Sequence, residues 1–273
     1  MDAWQVMKVS TRPRHLVSTR LWHWLNALAL TILLMSGLMI FNAHPRLYWG
    51  EYGARHDAAW LEIDDTRTTG FLQIGSVRME TTGVLGLSLG DDDRVRRVAF
   101  PGWATIPTDY SLAAARRWHF AFAWIFSIGL TLFMAGSLLN GHVRRDLHIP
   151  RAEWRFALLW QELKDHARLR FGGPQRSDYN VLQKFSYVTV IFILLPLMIF
   201  SGIAMSPAMN AAWPWLLDIF AGRQSARSIH FICAFLLALF MIVHLVMLLL
   251  SGPISGLRSM ITGHSSHGEG AAT

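Results

Sequence analysis

Apolar residues fall into four long runs, at about residues 21–41, 118–139, 185–205 and 229–250, separated by polar and basic stretches. Each is long enough to cross a bilayer as a helix, which takes roughly 20 residues for about 30 Å of hydrocarbon. The first three carry Gly37, Gly129 and Gly136, and Pro196 and Gly202. Membrane helices tolerate such residues, which admit a close neighbour or a flat ligand. The pattern predicts an all-α integral membrane protein, a four-transmembrane-helix bundle over residues 21–250. A polar segment, 1–20, precedes it and a small, polar tail, 251–273, follows it.

The connections differ in length. Residues 42–117 form a segment of about 75 residues, far beyond an ordinary connection and suited to a small subdomain that docks a partner. Within it, residues 71–79 and 83–89 alternate well enough to predict a β-hairpin around Glu80-Thr81-Thr82, with a turn at Asp91–Arg94. Residues 141–184 form the second long connection. Apolar positions at three-to-four spacing among basic ones over 150–171 predict a helix lying in the membrane interface, broken by Gly172-Gly173-Pro174.

Composition supports the membrane reading. Hydrophobic residues make up 52% of the 273, with 12 Trp and 16 Phe. A formal charge of +7 would suggest nucleic acid in a soluble protein, but here the positive charge sits between the apolar runs, where membrane orientation accounts for it. Lys8, Arg12, Arg14 and Arg20 precede the first run, and nine Lys or Arg lie in 141–184. By the positive-inside tendency both termini and the 141–184 connection are cytoplasmic, and 42–117 is external. That orientation fits a multi-pass protein of the bacterial inner membrane, with lipid as partner and no nucleic acid. The single cysteine, Cys233, excludes an internal disulfide.

The last run holds two histidines, His230 and His244, 14 residues apart. Fourteen steps of about 100° return to within roughly 40° of the same face, about 21 Å along the axis. An ionisable residue inside a membrane helix points to function, because burying it unpaired is costly. His23 opens the first run and His119 the second, so depth pairs His23 with His244 near the cytoplasmic side and His119 with His230 near the external side. Two haem b groups with bis-histidine ligation fit this arrangement, since haem iron takes neutral imidazole and two ligands leave no open position. A single zinc site would need its ligands to converge on one ion. A metal-ion or haem transport protein using the buried histidines is the rival reading. Arg20, Arg116, Arg117 and Arg227 lie within three residues of these histidines, where haem propionates need cations; interface anchoring is the competing role.

Arg20-Leu-Trp-His-Trp-Leu-Asn26, Arg117-Trp-His119 and the spaced histidine pair of the last run resemble the di-haem cytochrome b subunits of membrane-bound formate dehydrogenases, [NiFe]-hydrogenases and thiosulfate reductases. The resemblance covers the four runs. It implies a haem bundle passing electrons between an external redox partner and the quinone pool. It also implies quinone binding near the start of the third helix, where Tyr179-Asn-Val-Leu-Gln-Lys184 offers Asn180 and Gln183 to a quinone carbonyl. The 42–117 segment is longer than in the simpler members. Ala104-Thr-Ile-Pro107 and Arg116-Arg-Trp-His119 resemble the branch paired with molybdopterin enzymes, which implies a periplasmic molybdoenzyme or a cytochrome c as the redox partner.

Overall fold

The computed structural model describes residues 17–54, 56–90, 92–139, 160, 164, 181–250 and 253–262. Four helices are long and apolar enough to span a membrane. They are α1 (Val17–Asn42), α2 (Leu112–Leu139), a third made of α3 (Val181–Thr189), a π turn (Val190–Leu194) and α4 (Leu195–Met205), and α7 (Arg223–Leu250). Two short helices, α5 (Pro207–Ala212) and α6 (Pro214–Ile219), join α4 to α7, and α8 (Pro253–Thr262) follows α7.

All four spans begin before their apolar runs do. The added turns carry Arg20 in α1, Arg116 and Arg117 in α2, and Arg223 and Arg227 in α7. Long arginine stems can lie along an apolar surface while the head reaches the polar boundary, so these residues extend a membrane helix rather than end it. The third span also contains a π turn, Val190–Leu194. Proline at 196 has no N–H and its ring crowds the carbonyl of residue 192, which lies inside the π turn. Widening that one turn absorbs the clash without breaking the helix.

The helices pack in two pairs, α1 with α2 and α4 with α7. Trp22 inserts between them at the α1 start, stacked on Phe126 and Phe133 at 6.4 and 5.7 Å. It lies where Gly129 leaves room: a Cβ there would stand 2.3 Å from the indole. The bundle core is Ala29, Phe126, Leu130, Leu195 and Leu237. Leu237 lies seven residues from each of His230 and His244, so this dry layer falls midway between the two histidine depths.

Between α1 and α2 the chain forms small strands rather than a plain loop. Strands β1 (Arg46–Leu47), β2 (Leu61–Asp65), β3 (Gly70–Ile74) and β4 (Val77–Glu80) make one antiparallel sheet in that order, and β5 (Ser88–Leu89) pairs with β6 (Val95–Arg96). The hairpin differs from the one expected. It turns at Gly75-Ser76, with Gly75 at φ 58°, and Glu80-Thr81-Thr82 lies at its far end. Glycine supplies the positive φ of a tight two-residue turn, and that local requirement outweighed the longer alternation. The expected turn falls between β5 and β6, where the Gly90 N–H donates to the Arg94 carbonyl at 2.8 Å; Asp91 lies outside the described residues. Leu61 and Ile63, alternate positions of β2, meet Phe41, Leu47 and Ala99 in the subdomain core.

Hydrogen bonds tie this subdomain to α7. The Gly50 carbonyl accepts from the N–H groups of Gln224 and Ser225 at 3.0 and 3.2 Å, and Trp60 Nε1 donates to Ser228 Oγ at 2.9 Å. The first N–H groups of a helix have no partner within it, so the loop serves as their cap. The interfacial helix expected over 150–171 lies outside the described residues, apart from Trp160 and Lys164. Both are helical, with Lys164 Nζ 5.4 Å from the Trp160 ring.

Candidate functional site

Each of the four histidines lies one and a half to two turns inside its helix. His23 is six residues after Val17, His119 seven after Leu112, His230 seven after Arg223, and His244 six before Leu250. They are therefore about 9–10 Å deep rather than in the first turns. The structure brings them together in two pairs. His23 faces His244 with ring centroids 6.3 Å apart and planes at 59°, and His119 faces His230 at 6.3 Å and 62°.

The equal spacings set a chemical test. A metal–imidazole bond is about 2.0–2.1 Å and a ring centroid lies roughly 1.2 Å behind its nitrogen, so two rings on opposite sides of one metal stand about 6.4 Å apart. Both pairs fit. Among the described residues no three His, Cys, Asp or Glu converge as a metal cluster, so a tetrahedral site is not assembled there.

The outer pair, His119 with His230, shows why these rings face each other. His119 Nδ1 lies 3.1 Å from Ser36 Oγ, and the Leu33 backbone is a further hydrogen-bond partner of the imidazole. His230 Nδ1 lies 3.1 Å from Ser201 Oγ and 3.1 Å from the Met198 carbonyl. In both cases the serine stands three residues after the carbonyl and one before a glycine: Leu33-x-x-Ser36-Gly37 on α1, Met198-x-x-Ser201-Gly202 on α4. A Cβ on Gly37 would lie 3.4 Å from His119 Cε1, and one on Gly202 would lie 3.2 Å from His230 Cε1. Each helix pair thus supplies one histidine, and the neighbouring helix supplies a polar partner for Nδ1 and a clear surface for the ring. With Nδ1 engaged, Nε2 is the nitrogen available to a metal, the arrangement that usually orients metal-bound histidine.

Serine and glycine at these positions were not anticipated as site residues. Gly37, expected to admit a close neighbour or a flat ligand, lies at the outer pair against the His119 imidazole. The third span carries no histidine, yet Ser201 and Gly202 make it part of the site. The signal was present as the near-repeat Leu-x-x-Ser-Gly and Met-x-x-Ser-Gly at matching depth in the first and third runs.

The inner pair has a more aromatic setting. His244 stacks on Phe240 at 6.0 Å and 21°, and Tyr187 meets Phe240 edge-on at 6.4 Å. His23 lies edge-on to Trp24 at 5.5 Å. Asn26 Oδ1, one turn from His23, is buried without a hydrogen-bond partner among the described residues.

The other expected site residues are placed as follows. The Arg20 guanidinium reaches the Met260 and Ile261 carbonyls at the end of α8. Arg117 is exposed, two residues from His119. Arg227 donates to the His44 carbonyl and lies 5.7 Å from the Phe41 ring. Asn180 and the side chain of Gln183 lie outside the described residues.

The sequence profile of the prokaryotic cytochrome b561 family matches residues 14–263, which take in all four spans and all four paired histidines. The chain belongs to the prokaryotic cytochrome b561 family. It is a multi-pass membrane protein that carries electrons by haem b, in accord with the resemblance carried by its arginine–tryptophan–histidine motifs. A cytochrome of this kind has no need of a transport path, and the transport reading is not favoured. A relative from Azospira oryzae (strain ATCC BAA-33 / DSM 13638 / PS), named provisionally as protein-methionine-sulfoxide reductase subunit YedZ1, is 23% identical over 245 residues, covering 90% of this chain and 93% of the relative. No solved structure matches the chain.

Proposed function

We propose that this cytochrome holds two b haems, one between His23 and His244 and one between His119 and His230, and passes electrons between a periplasmic redox subunit and the quinone pool. The observation that carries this reading is the pair of equal 6.3 Å ring separations at two depths. Haem iron ligated by two imidazoles exchanges single electrons and offers no open position for substrate. The chain's residues supply the rest. Ser36 with the Leu33 carbonyl, and Ser201 with the Met198 carbonyl, hold the outer rings in one tautomer and one orientation. The apolar layer of Ala29, Phe126, Leu130, Leu195 and Leu237 keeps water from the space between the two depths.

The quinone end is the inner pair. Tyr187, at the beginning of the third span, reaches His244 through Phe240, and Asn180 and Gln183, seven and four residues earlier in the sequence, would hydrogen-bond a quinone carbonyl. The redox partner is a periplasmic molybdoenzyme or a cytochrome c, which docks on the 42–117 subdomain. The name of the Azospira relative, a subunit of a reductase, supports a partnered role. Both termini are cytoplasmic, which places the His119–His230 pair near the partner.

Single replacements test the ligand assignment. His230→Ala and His244→Ala should each lose one haem and keep the other. Retention of both haems by either variant refutes it. Partner docking has its own test on strand β4, whose four residues are exposed at the sheet edge. Val77→Lys with Met79→Lys should preserve both haems while slowing reduction by the partner, whereas an unchanged rate places docking elsewhere.

A further inference from the structure

A stretch of the subdomain descends along α1 to the depth of the outer histidine pair. At its top, Asn42 clamps Phe100: its Nδ2 donates to the Phe100 carbonyl at 3.0 Å and its Oδ1 accepts from the Phe100 N–H at 2.7 Å. At its foot, the Ile106 N–H donates to the Met35 carbonyl at 3.2 Å. Met35 is seven residues before Asn42 on α1 and adjoins Ser36, so the foot is about 10 Å deeper than the helix end. Arg227, which lies against Phe41, marks the polar boundary near that end. The non-helical chain from Phe100 to Ile106 is therefore inside the apolar zone of a membrane-spanning helix.

Irregular backbone at that depth must bond its own polar groups, because hydrocarbon offers no partners. This segment is built accordingly. Pro101 and Pro107 have no N–H to satisfy. The Ala104 N–H donates to the Pro101 carbonyl at 3.0 Å and the Thr105 N–H to the Gly102 carbonyl at 3.1 Å. Thr105, fully buried, turns its hydroxyl to the Gly102 and Pro107 carbonyls at 3.1 and 3.3 Å. Trp103 points the other way and is 73% exposed. Beside it runs an apolar groove of about 450 Å³ between Leu34, Met35 and Leu38 of α1 and Val84, Trp103 and Ala104.

The geometry points to a re-entrant wedge: residues 100–106 insert into the leaflet on the His119–His230 side, with Trp103 at the headgroup boundary and a phospholipid acyl chain in the groove. The occupant follows from the walls and their depth: Leu34, Met35 and Leu38 belong to a helix apolar enough to span the membrane, and the groove beside them is lined by apolar side chains, so acyl chains are what surrounds it. Among the named walls only the Trp103 indole N–H could bond a polar partner. Trp favours this boundary because its ring is apolar and its N–H polar. The subdomain would then be fixed against the membrane surface as well as against α7.

The test uses the full haem-loaded protein in phosphatidylcholine nanodiscs, spin-labelled at Trp103→Cys or, should that variant fail to fold, at Val84→Cys. Cys233 is buried and stays unlabelled. Collision with oxygen should exceed collision with an aqueous nickel chelate at both positions, while a label at the exposed Tyr52→Cys should show the reverse. Nickel access at 103 and 84 matching that at 52 overturns the wedge. The groove is read with chain-labelled phosphatidylcholine. The motionally restricted fraction should fall in Ala104→Phe with the haem spectrum unchanged. An unaltered fraction, or its displacement by added quinone, overturns the acyl-chain assignment.

Discussion

Replacing Gly202 by alanine perturbs the proposed outer haem site at a defined atom. The new Cβ would stand 3.2 Å from His230 Cε1, against about 3.5–4.0 Å for unstrained carbon contact. The ring cannot simply tilt away. Its Nδ1 is held by Ser201 Oγ and the Met198 carbonyl at 3.1 Å each, and its other side faces His119. Overpacking a fixed site by a few tenths of an ångström costs about 1–2 kcal/mol, the lower part of the range for added methylenes. That corresponds to roughly 5- to 30-fold weaker retention of the outer haem. The same change at Gly37, with 3.4 Å to His119 Cε1, is ordinary contact and should cost less. Gly136→Ala, where nothing lies within 4 Å, is the control and should be neutral or mildly stabilising, since alanine favours helix by up to about 1 kcal/mol. Low-temperature spectra and the electron paramagnetic resonance of each haem, followed during haem titration, read the two sites separately. The inner haem, about 21 Å away along α7, should be unchanged. Equal loss of both haems in Gly202→Ala, or a larger effect at Gly37 than at Gly202, would show that this Cβ contact does not govern retention of the outer haem.

Three further outcomes follow from the same geometry. Ser36→Ala and Ser201→Ala should each shift the outer haem's midpoint potential with haem content kept, because each histidine retains a carbonyl partner; a redox titration that finds no shift removes the serines from the site. Phe240→Leu should slow quinone-linked reduction or oxidation of the inner haem, read by stopped flow, with the outer haem's spectrum unaltered. Burial first, and then the Arg227 and Arg46 charges, hold the His44 imidazole below its ordinary pKa. The unfolded chain therefore binds this proton more readily, and stability should fall as pH drops below about 6.5. The melting temperature should decline on acidification more in the parent than in His44→Gln; equal declines would contradict this.

The spans were legible because bilayer crossing demands length and continuous apolarity, both plain in the sequence. Their starts were not, because arginines such as Arg116 and Arg223 read as loop while their stems still pack as helix. The histidine pairing was legible from depth alone: the 14-residue spacing on one face fixes two levels, and the other two histidines have one level each. What holds the rings was hidden. Ser36 and Ser201 look like ordinary small residues of membrane helices, and only packing of α1 on α2 and of α4 on α7 brings them to His119 and His230. The hairpin was misplaced by several residues because alternation over 71–89 suits more than one register, and the glycine turn at Gly75 decides it. The wedge at 100–106 was beyond reach, since nothing local marks the Ile106–Met35 bond.

The most direct measurement is a reduced-minus-oxidised visible spectrum of the purified protein together with its haem-to-protein ratio. A b-type spectrum at two haems per chain is expected. A ratio of one would mean that one of the two facing histidine pairs holds no iron, and the absence of haem would contradict the central claim outright.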